Sequence, residues 1–165
     1  MSETTFPRSL GHIGVTVNDI EAAVDWYQDV LGFEHIMGPE KIYPHEGHFG
    51  DLIADGGVNY EWMKIAHLET GNHVGFELFE FDSTNDKTES DNVHPGINHI
   101  CVQDPQIEEL ADRIVETGGK QVKDIWKVFP DKEYRMTYCE DPWGNFVEIH
   151  THGYAAGHAN IGEYY

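Results

Sequence analysis

The stretch Asp141-Pro142-Trp143-Gly144-Asn145-Phe146-Val147-Glu148-Ile149-His150 decides how the rest of the chain is read. Its opening predicts a tight turn, with Asp at the first position, Pro pre-set for the second and Gly at the fourth. A period-2 segment follows, with Val147 and Ile149 on one face and Phe146, Glu148 and His150 on the other. Glu148 is the anomaly. A carboxylate in mid-strand between large apolar residues either faces water or needs a cationic partner, because burying an unpaired charge is costly.

The same pattern occurs earlier. In Val74–Phe81, Val74, Phe76 and Leu78 make an apolar face, while Gly75, Glu77, Phe79 and Phe81 lie opposite. Two further strands alternate and carry a histidine. Leu10–Val17 places Ile13, Val15 and Val17 opposite His12, Gly14 and Thr16; Ile97–Val102 places Ile100 and Val102 opposite His99 and Cys101. Each of these strands precedes a helical pattern. The first helix runs through Ile20, Ala23, Val24, Tyr27 and Leu31 to a stop at Gly32, and Asn18 with Glu21 reads as a capping box. The second runs through Ile107, Leu110, Ala111, Ile114 and Val115 to Gly118, with Asp104 as N-cap and Pro105 at the first helical position.

Remaining strands are expected at Phe33–Met37, Trp62–Leu68, Val122–Val128 and Tyr134–Cys139. Gly38–Tyr60 breaks into Gly, Pro, His and aromatic residues and reads as a long irregular loop of the kind that carries function. Residues 82–95 are acidic and without period, a linker. The expected organisation is therefore two βαβββ modules, 8–81 and 96–152, in one domain over 1–165 with a tail at 153–165, which is an internal duplication. Aligning the modules sets His12 over His99 and Glu77 over Glu148. Two imidazoles and two carboxylates at equivalent positions make a mixed N/O set suited to a borderline divalent metal: Zn, Ni, Co, Fe or Mn.

Composition limits the partners. Thirty acidic residues against ten basic give a net charge of −20 with His neutral. Nucleic acid and anionic membrane surfaces both need a basic footprint, so neither is an expected partner. The chain shows no run of apolar residues long enough to span a bilayer and no basic-then-apolar leader pattern, and the expectation is a cytoplasmic protein. Cys101 and Cys139 read as two buried small hydrophobes, not a disulfide.

The chain resembles the vicinal oxygen chelate superfamily, which includes glyoxalase I, methylmalonyl-CoA epimerase, extradiol dioxygenases and bleomycin- or fosfomycin-resistance proteins. The resemblance covers nearly all of 10–152. It rests on His12-Ile-Gly-Val with Trp26-Tyr27-Gln-Asp-Val-Leu-Gly-Phe33, on Asn98-His99-Ile-Cys-Val, and on Glu140-Asp-Pro-Trp-Gly-Asn-Phe-Val-Glu148. It implies an α+β fold whose modules pair into a curved, partly open, barrel-like sheet around one metal, with His12, Glu77, His99 and Glu148 as ligands and a homodimeric assembly. The ligand pattern is closest to bacterial glyoxalase I. Members of that group have an Arg four residues after the first ligand and an Asn four after the second, both engaging glutathione; Thr16 and Phe81 stand there in this chain.

The expected chemistry is proton transfer next to a carbonyl, with a metal acting as Lewis acid on the carbonyl oxygen and stabilising the enediolate. Glu148 is the expected principal base and Glu77 a ligand and second base. Tyr43, Phe49, Tyr60, Trp62, Trp126, Phe129 and Trp143 are candidates for a substrate pocket, and Arg135, with Lys127 and Lys132, for holding an anionic group. The substrate class is a small carbonyl compound, with a thiol or CoA conjugate among the options. Epimerase-like and dioxygenase-like enzymes are the alternatives, as is a ligand-sequestering protein of the resistance type.

The charge yields one prediction directly. The Debye length shrinks from about 30 Å at 0.01 M salt to about 3 Å at 1 M, so salt screens the repulsion among the excess acidic groups. The melting temperature of the metal-saturated protein is expected to rise with potassium chloride across this range. A flat or falling curve would mean that the acidic groups are spaced too well to destabilise the fold.

Overall fold

A computed structural model describes residues 8–82 and 96–159. The chain divides into two compact units, Met1–Asn85 and Asp86–Tyr165. The linker expected at 82–95 lies, beyond Asp82, outside the described residues.

In the first unit the order is β1 (His12–Thr16), α1 (Ile20–Leu31), β2 (Glu34–Ile42), α2 (Gly47–Asp55), β3 (Met63–Glu69) and β4 (Gly75–Phe81). The sheet order is β1-β4-β3-β2, with β1 parallel to β4 and the other pairs antiparallel. α1 packs on β2, β3 and β4. Its buried Ile20, Ala23, Val24 and Tyr27 follow helical spacing, and Tyr27 meets Phe33 and Phe76 with ring centroids at 5.8 and 4.7 Å.

The helix start differs from expectation. Asp19, not Asn18, is the N-cap, its carboxylate accepting from Ala22 N at 3.0 Å. Ile20 N donates to Glu80 Oε2 at 2.9 Å, so a carboxylate from β4 closes a second free N–H of the helix. Glu80 lies on the helix side of the sheet with only 9 % of its surface exposed, and Lys64 Nζ at 3.4 Å balances its charge. Glu21 pairs with Lys64 at 2.9 Å instead of completing a capping box. The helix stops at Gly32, whose φ of 70° is the left-handed region that glycine enters freely.

The stretch after Met37 is also more ordered than its sequence suggests. β2 continues to Ile42 through two register shifts against β3, and Gly47–Asp55 forms α2. Gly50 is buried, and a Cβ there would lie 2.4 Å from the Tyr43 carbonyl, while Tyr60 donates its hydroxyl to the Gly50 carbonyl at 3.3 Å. Close backbone contact, not an apolar stripe, holds this helix.

The second unit runs β5 (His99–Gln103), α3 (Ile107–Glu116), β6 (Lys120–Gln121), β7 (Trp126–Lys127), β8 (Arg135–Glu140), β9 (Phe146–His150) and α4 (Tyr154–His158). Its sheet order is β5-β9-β8-β6, with β7 also pairing β8, and β5 is parallel to β9. α3 packs on β6 and β8, burying Ile107, Leu110, Ala111 and Ile114. Gln106 is the residue that caps α3; Asp104 accepts from Gln106 N at 2.8 Å, so Pro105 belongs to a turn before the helix.

Of the strand expected at Val122–Val128 only β7, Trp126–Lys127, forms, and β6 lies just before that stretch. Val122 N and Lys123 N both donate to the Tyr138 carbonyl, which uses two donors on one acceptor and breaks the ladder. Over its described part the tail forms α4, whose His158 ring stacks on His150 at 5.5 Å. Both sheets are mixed and neither closes into a barrel.

The turn at Asp141 forms as expected. Gly144 N donates to the Asp141 carbonyl at 3.1 Å, and Gly144 has φ 89°. The Asp141 side chain is buried and accepts from Trp143 N, Asn145 N and Asn145 Nδ2 at 2.9, 2.7 and 2.8 Å.

Candidate functional site

In the first unit, the parallel pairing of β1 with β4 sets His12 opposite Gly75 and Gly14 opposite Glu77. Gly75 makes room for the histidine, since a Cβ at Gly75 would lie 2.9 Å from His12 Cβ. His12 Nε2 then comes within 3.7 Å of Glu77 Oε2. On the other side β3 places His67 opposite Glu77, with Nδ1 3.4 Å from Oε1. His67 was not anticipated from the sequence. Alternation along β3 puts it on this face, but only the register sets it beside Glu77.

In the second unit, β5 and β9 set Cys101 opposite Glu148, and β8 sets Tyr138 opposite it from the other side. His99 Nε2 lies 3.3 Å from Glu148 Oε2, and His150 Nε2 lies 3.0 Å from Oε1. Glu148 is 5 % exposed and His150 1 %. His150, which strand alternation already sets on the face of Glu148, is buried and is therefore the neighbour that a mid-strand carboxylate needs. Burial works against ionisation of Glu148, but contacts with His150 and Tyr138 and the charges of His150 and His99 outweigh it and hold the carboxyl down to about 2.

Behind His150, the rings of His152 and Tyr134 continue the stack, at 4.9 Å from His150 to His152 and 4.6 Å from His152 to Tyr134. Burial first, then the neighbouring His150 and His158, keep His152 below its usual range and so favour the neutral ring.

Cys101 departs from expectation. Cys139 is buried, but Cys101 is exposed. Desolvation, the Glu148 charge and a hydrogen bond with Glu148 push the thiol up to about 12, so it carries its proton at neutral pH.

Two ligands held about 2.0–2.1 Å from one ion sit about 3–3.4 Å apart. The His–Glu separations of 3.7 Å in the first unit and 3.3 Å in the second are close to that, and the donors are the imidazole nitrogen and carboxylate oxygen that borderline divalent ions accept. Each unit's pair thus fits a metal.

The pocket residues expected from sequence separate into groups. Trp126 lines an open cavity of about 450 Å3 in the second unit together with His99, Asn98, Tyr138 and Phe146. Phe129 is 1 % exposed and belongs to the core, packed on Tyr134. Arg135 pairs with Glu108 on α3, and Lys127 with Glu133 at 2.6 Å, so these cations are already engaged. In the first unit Lys41 Nζ lies over Trp62 and Tyr43, at 4.4 and 5.5 Å from their ring centroids, and Phe49 is on α2. Phe81 stacks on Phe79 at 6.4 Å and meets Tyr60 edge-on at 5.7 Å, while Thr16 is exposed at the end of β1. Among the described residues no helix is long and apolar enough to cross a membrane.

Two mixed sheets, each with a histidine on its edge strand beside a glutamate, make up an α+β fold. The chain belongs to the Glyoxalase/Bleomycin resistance protein/Dioxygenase superfamily, whose family model matches residues 9–149. It is 26 % identical over 149 residues to a lactoylglutathione lyase of Pseudomonas putida, covering 84 % of this chain and 82 % of that one. A glyoxalase family protein from Bacillus cereus has a similar fold, with a TM-score of 0.69 at 18 % identity over 91 % of this chain and 97 % of that one. A fosfomycin resistance protein of Listeria monocytogenes, solved as a variant complexed with Mn(II) and 1S,2S-dihydroxypropylphosphonic acid, gives 0.59 at 17 % identity, covering 94 % and 98 %.

Proposed function

We propose that the protein is a divalent-metal-dependent lyase or isomerase of the glyoxalase type, which moves a proton at the carbon next to a carbonyl. The observation that carries this reading is the repeated pair: in each unit separately, a histidine from the first strand approaches a glutamate from the last. His12, Glu77, His99 and Glu148 are the proposed ligands. A bound ion would supply Lewis-acid polarisation of the substrate carbonyl.

The chain's own residues do the rest. Glu148 is the proposed principal acceptor of the proton. A carboxylate held down to about 2 is fully ionised at neutral pH but a weak base, so Glu148 gains basicity as its His150 contact loosens. Glu77, with His12 and His67 on either side, is the second carboxylate available to return it.

The flank of Glu77 speaks about the substrate. Phe79 and Phe81 share its face of β4, and Tyr60 packs on Phe81. Neither Thr16 nor Phe81 offers the charge or the amide that a peptide conjugate such as glutathione would use. We therefore read the substrate as a carbonyl compound with an apolar flank, bound by a homodimeric protein.

The test loads the protein with Zn, Ni, Co, Fe or Mn in turn. It then follows deuterium uptake from solvent at the carbon next to the carbonyl. Methylglyoxal–glutathione hemithioacetal, methylmalonyl-CoA, simple aromatic α-ketoaldehydes and, for the dioxygenase alternative, catechols with oxygen are run separately. The expected result is exchange with an aromatic ketoaldehyde that does not require glutathione. Ligand binding with no exchange under any metal would favour the sequestering reading instead.

A further inference from the structure

The repeat has an asymmetry beside its two glutamates. In the first unit the residue across from Glu77 is Gly14, and Phe79 follows two positions after Glu77 on the same face. A Cβ at Gly14 would lie 3.0 Å from the Phe79 ring, so the glycine only accommodates an aromatic side chain. At the equivalent positions around Glu148 the second unit carries Cys101 and His150. An apolar contact in one half is replaced by a sulfur donor and a nitrogen donor in the other.

We propose that Cys101, Glu148 and His150 form a binding site for a soft, thiophilic divalent cation, such as Zn or Cd. Their donor atoms all lie within 4.8 Å of one another. Glu148 presents one oxygen to each of two imidazoles: Oε2 faces His99, and Oε1 faces His150. His150 Nε2 is the second, independent sign of a ligand. It is buried, makes no hydrogen bond of ordinary geometry besides its 3.0 Å ion-pair approach to Oε1, and is aimed into the space shared with Glu148. The ring is held in that direction by stacking on His152 and His158, so little reorganisation accompanies coordination. Cys101 is on the exposed side and gives an ion its way in.

Sulfur, nitrogen and oxygen from one residue each is a set that Zn and Cd accept and that hard ions such as Mg or Ca do not favour. On binding, the Cys101 S–H bond breaks, its proton leaves to solvent and a metal–sulfur bond forms; no electron is transferred. The site lies within the second unit and does not depend on the proposed activity. If that activity holds, a soft ion here competes with the His99 side for Glu148.

Cd(II) titration of the metal-free protein tests this, read by thiolate-to-metal charge-transfer absorption in the ultraviolet. The chain has two cysteines, which makes the signal assignable. A saturable band at one equivalent is expected in the unsubstituted protein, retained in Cys139→Ala and His12→Ala and lost in Cys101→Ser. His150→Gln should weaken Cd(II) binding about 10-fold or more. Because His150 is buried, ring-nitrogen NMR of the unsubstituted protein supplies a second reading: the His150 Nε2 signal should move with the first equivalent. Absence of the band, its survival in Cys101→Ser, or an unmoved His150 signal would overturn the proposal. Loss of the band in His12→Ala would do so as well, by placing the bound ion elsewhere.

Discussion

Glu148→Gln and His12→Ala are each expected to lower divalent-metal affinity by more than about 100-fold and to abolish turnover while the fold survives. Removing a group that merely supports a ligand costs about 10- to 100-fold in affinity, and removing a ligand itself costs more. The two variants make complementary demands on the protein. The His12 side chain is 61 % exposed and touches Glu77 at 3.7 Å, so its removal leaves no cavity and little stability is lost. Glu148 is buried, but glutamine keeps its shape and one acceptor oxygen while losing the negative charge that makes a carboxylate a strong ligand. Metal analysis after dialysis, with a thermal melt of each variant, separates lost ligation from lost folding. Full occupancy and an unchanged rate in both variants would remove these residues from the site.

How far such residues can be read from sequence depends on which physical signal places them. His12, Glu77, His99 and Glu148 were legible because strand alternation assigns a face without any knowledge of neighbours, and the duplication repeats the assignment. The elements they sit on were legible for the same reason. What sequence did not give was register. His67 beside Glu77, and Cys101 and Tyr138 beside Glu148, follow from which residues stand opposite each other across β3–β4, β5–β9 and β8–β9.

Long-range polar contacts were equally hidden. Asn18 and Asp19 are both good capping residues, and nothing local shows that Glu80, on another strand, completes the helix start at Ile20. α2 escaped because its place is set by close contact at Gly50 and not by a periodic apolar stripe. Phe129 illustrates the remaining ambiguity: an aromatic residue suits a pocket and a core equally well, and burial alone assigns it to the core.

The Asp141 turn is where local sequence and site geometry meet, and Asp141→Ala should be among the most destabilising single changes in the second unit. The buried carboxylate accepts from Trp143 N, Asn145 N and Asn145 Nδ2. Alanine leaves two backbone N–H groups and an amide short of an acceptor. Each such loss costs about 1–3 kcal/mol where water is excluded, and these donors are only partly buried. A total of about 2–4 kcal/mol is therefore expected. For a domain of this size that corresponds to a fall in melting temperature of roughly 5–15 °C. Asp141→Asn keeps an acceptor for the backbone donors and should fall between the two. The effect should also reach the metal, because the turn fixes Glu140 opposite Phe146 and hence Tyr138 opposite Glu148. A one-residue slip in that register would carry Glu148 to the opposite face of the sheet. The expected pattern is a lowered melting temperature together with weakened metal binding, both partly restored in the asparagine variant. A melting temperature within a degree of the unsubstituted protein would mean that Pro142 and Gly144 hold the turn without the carboxylate.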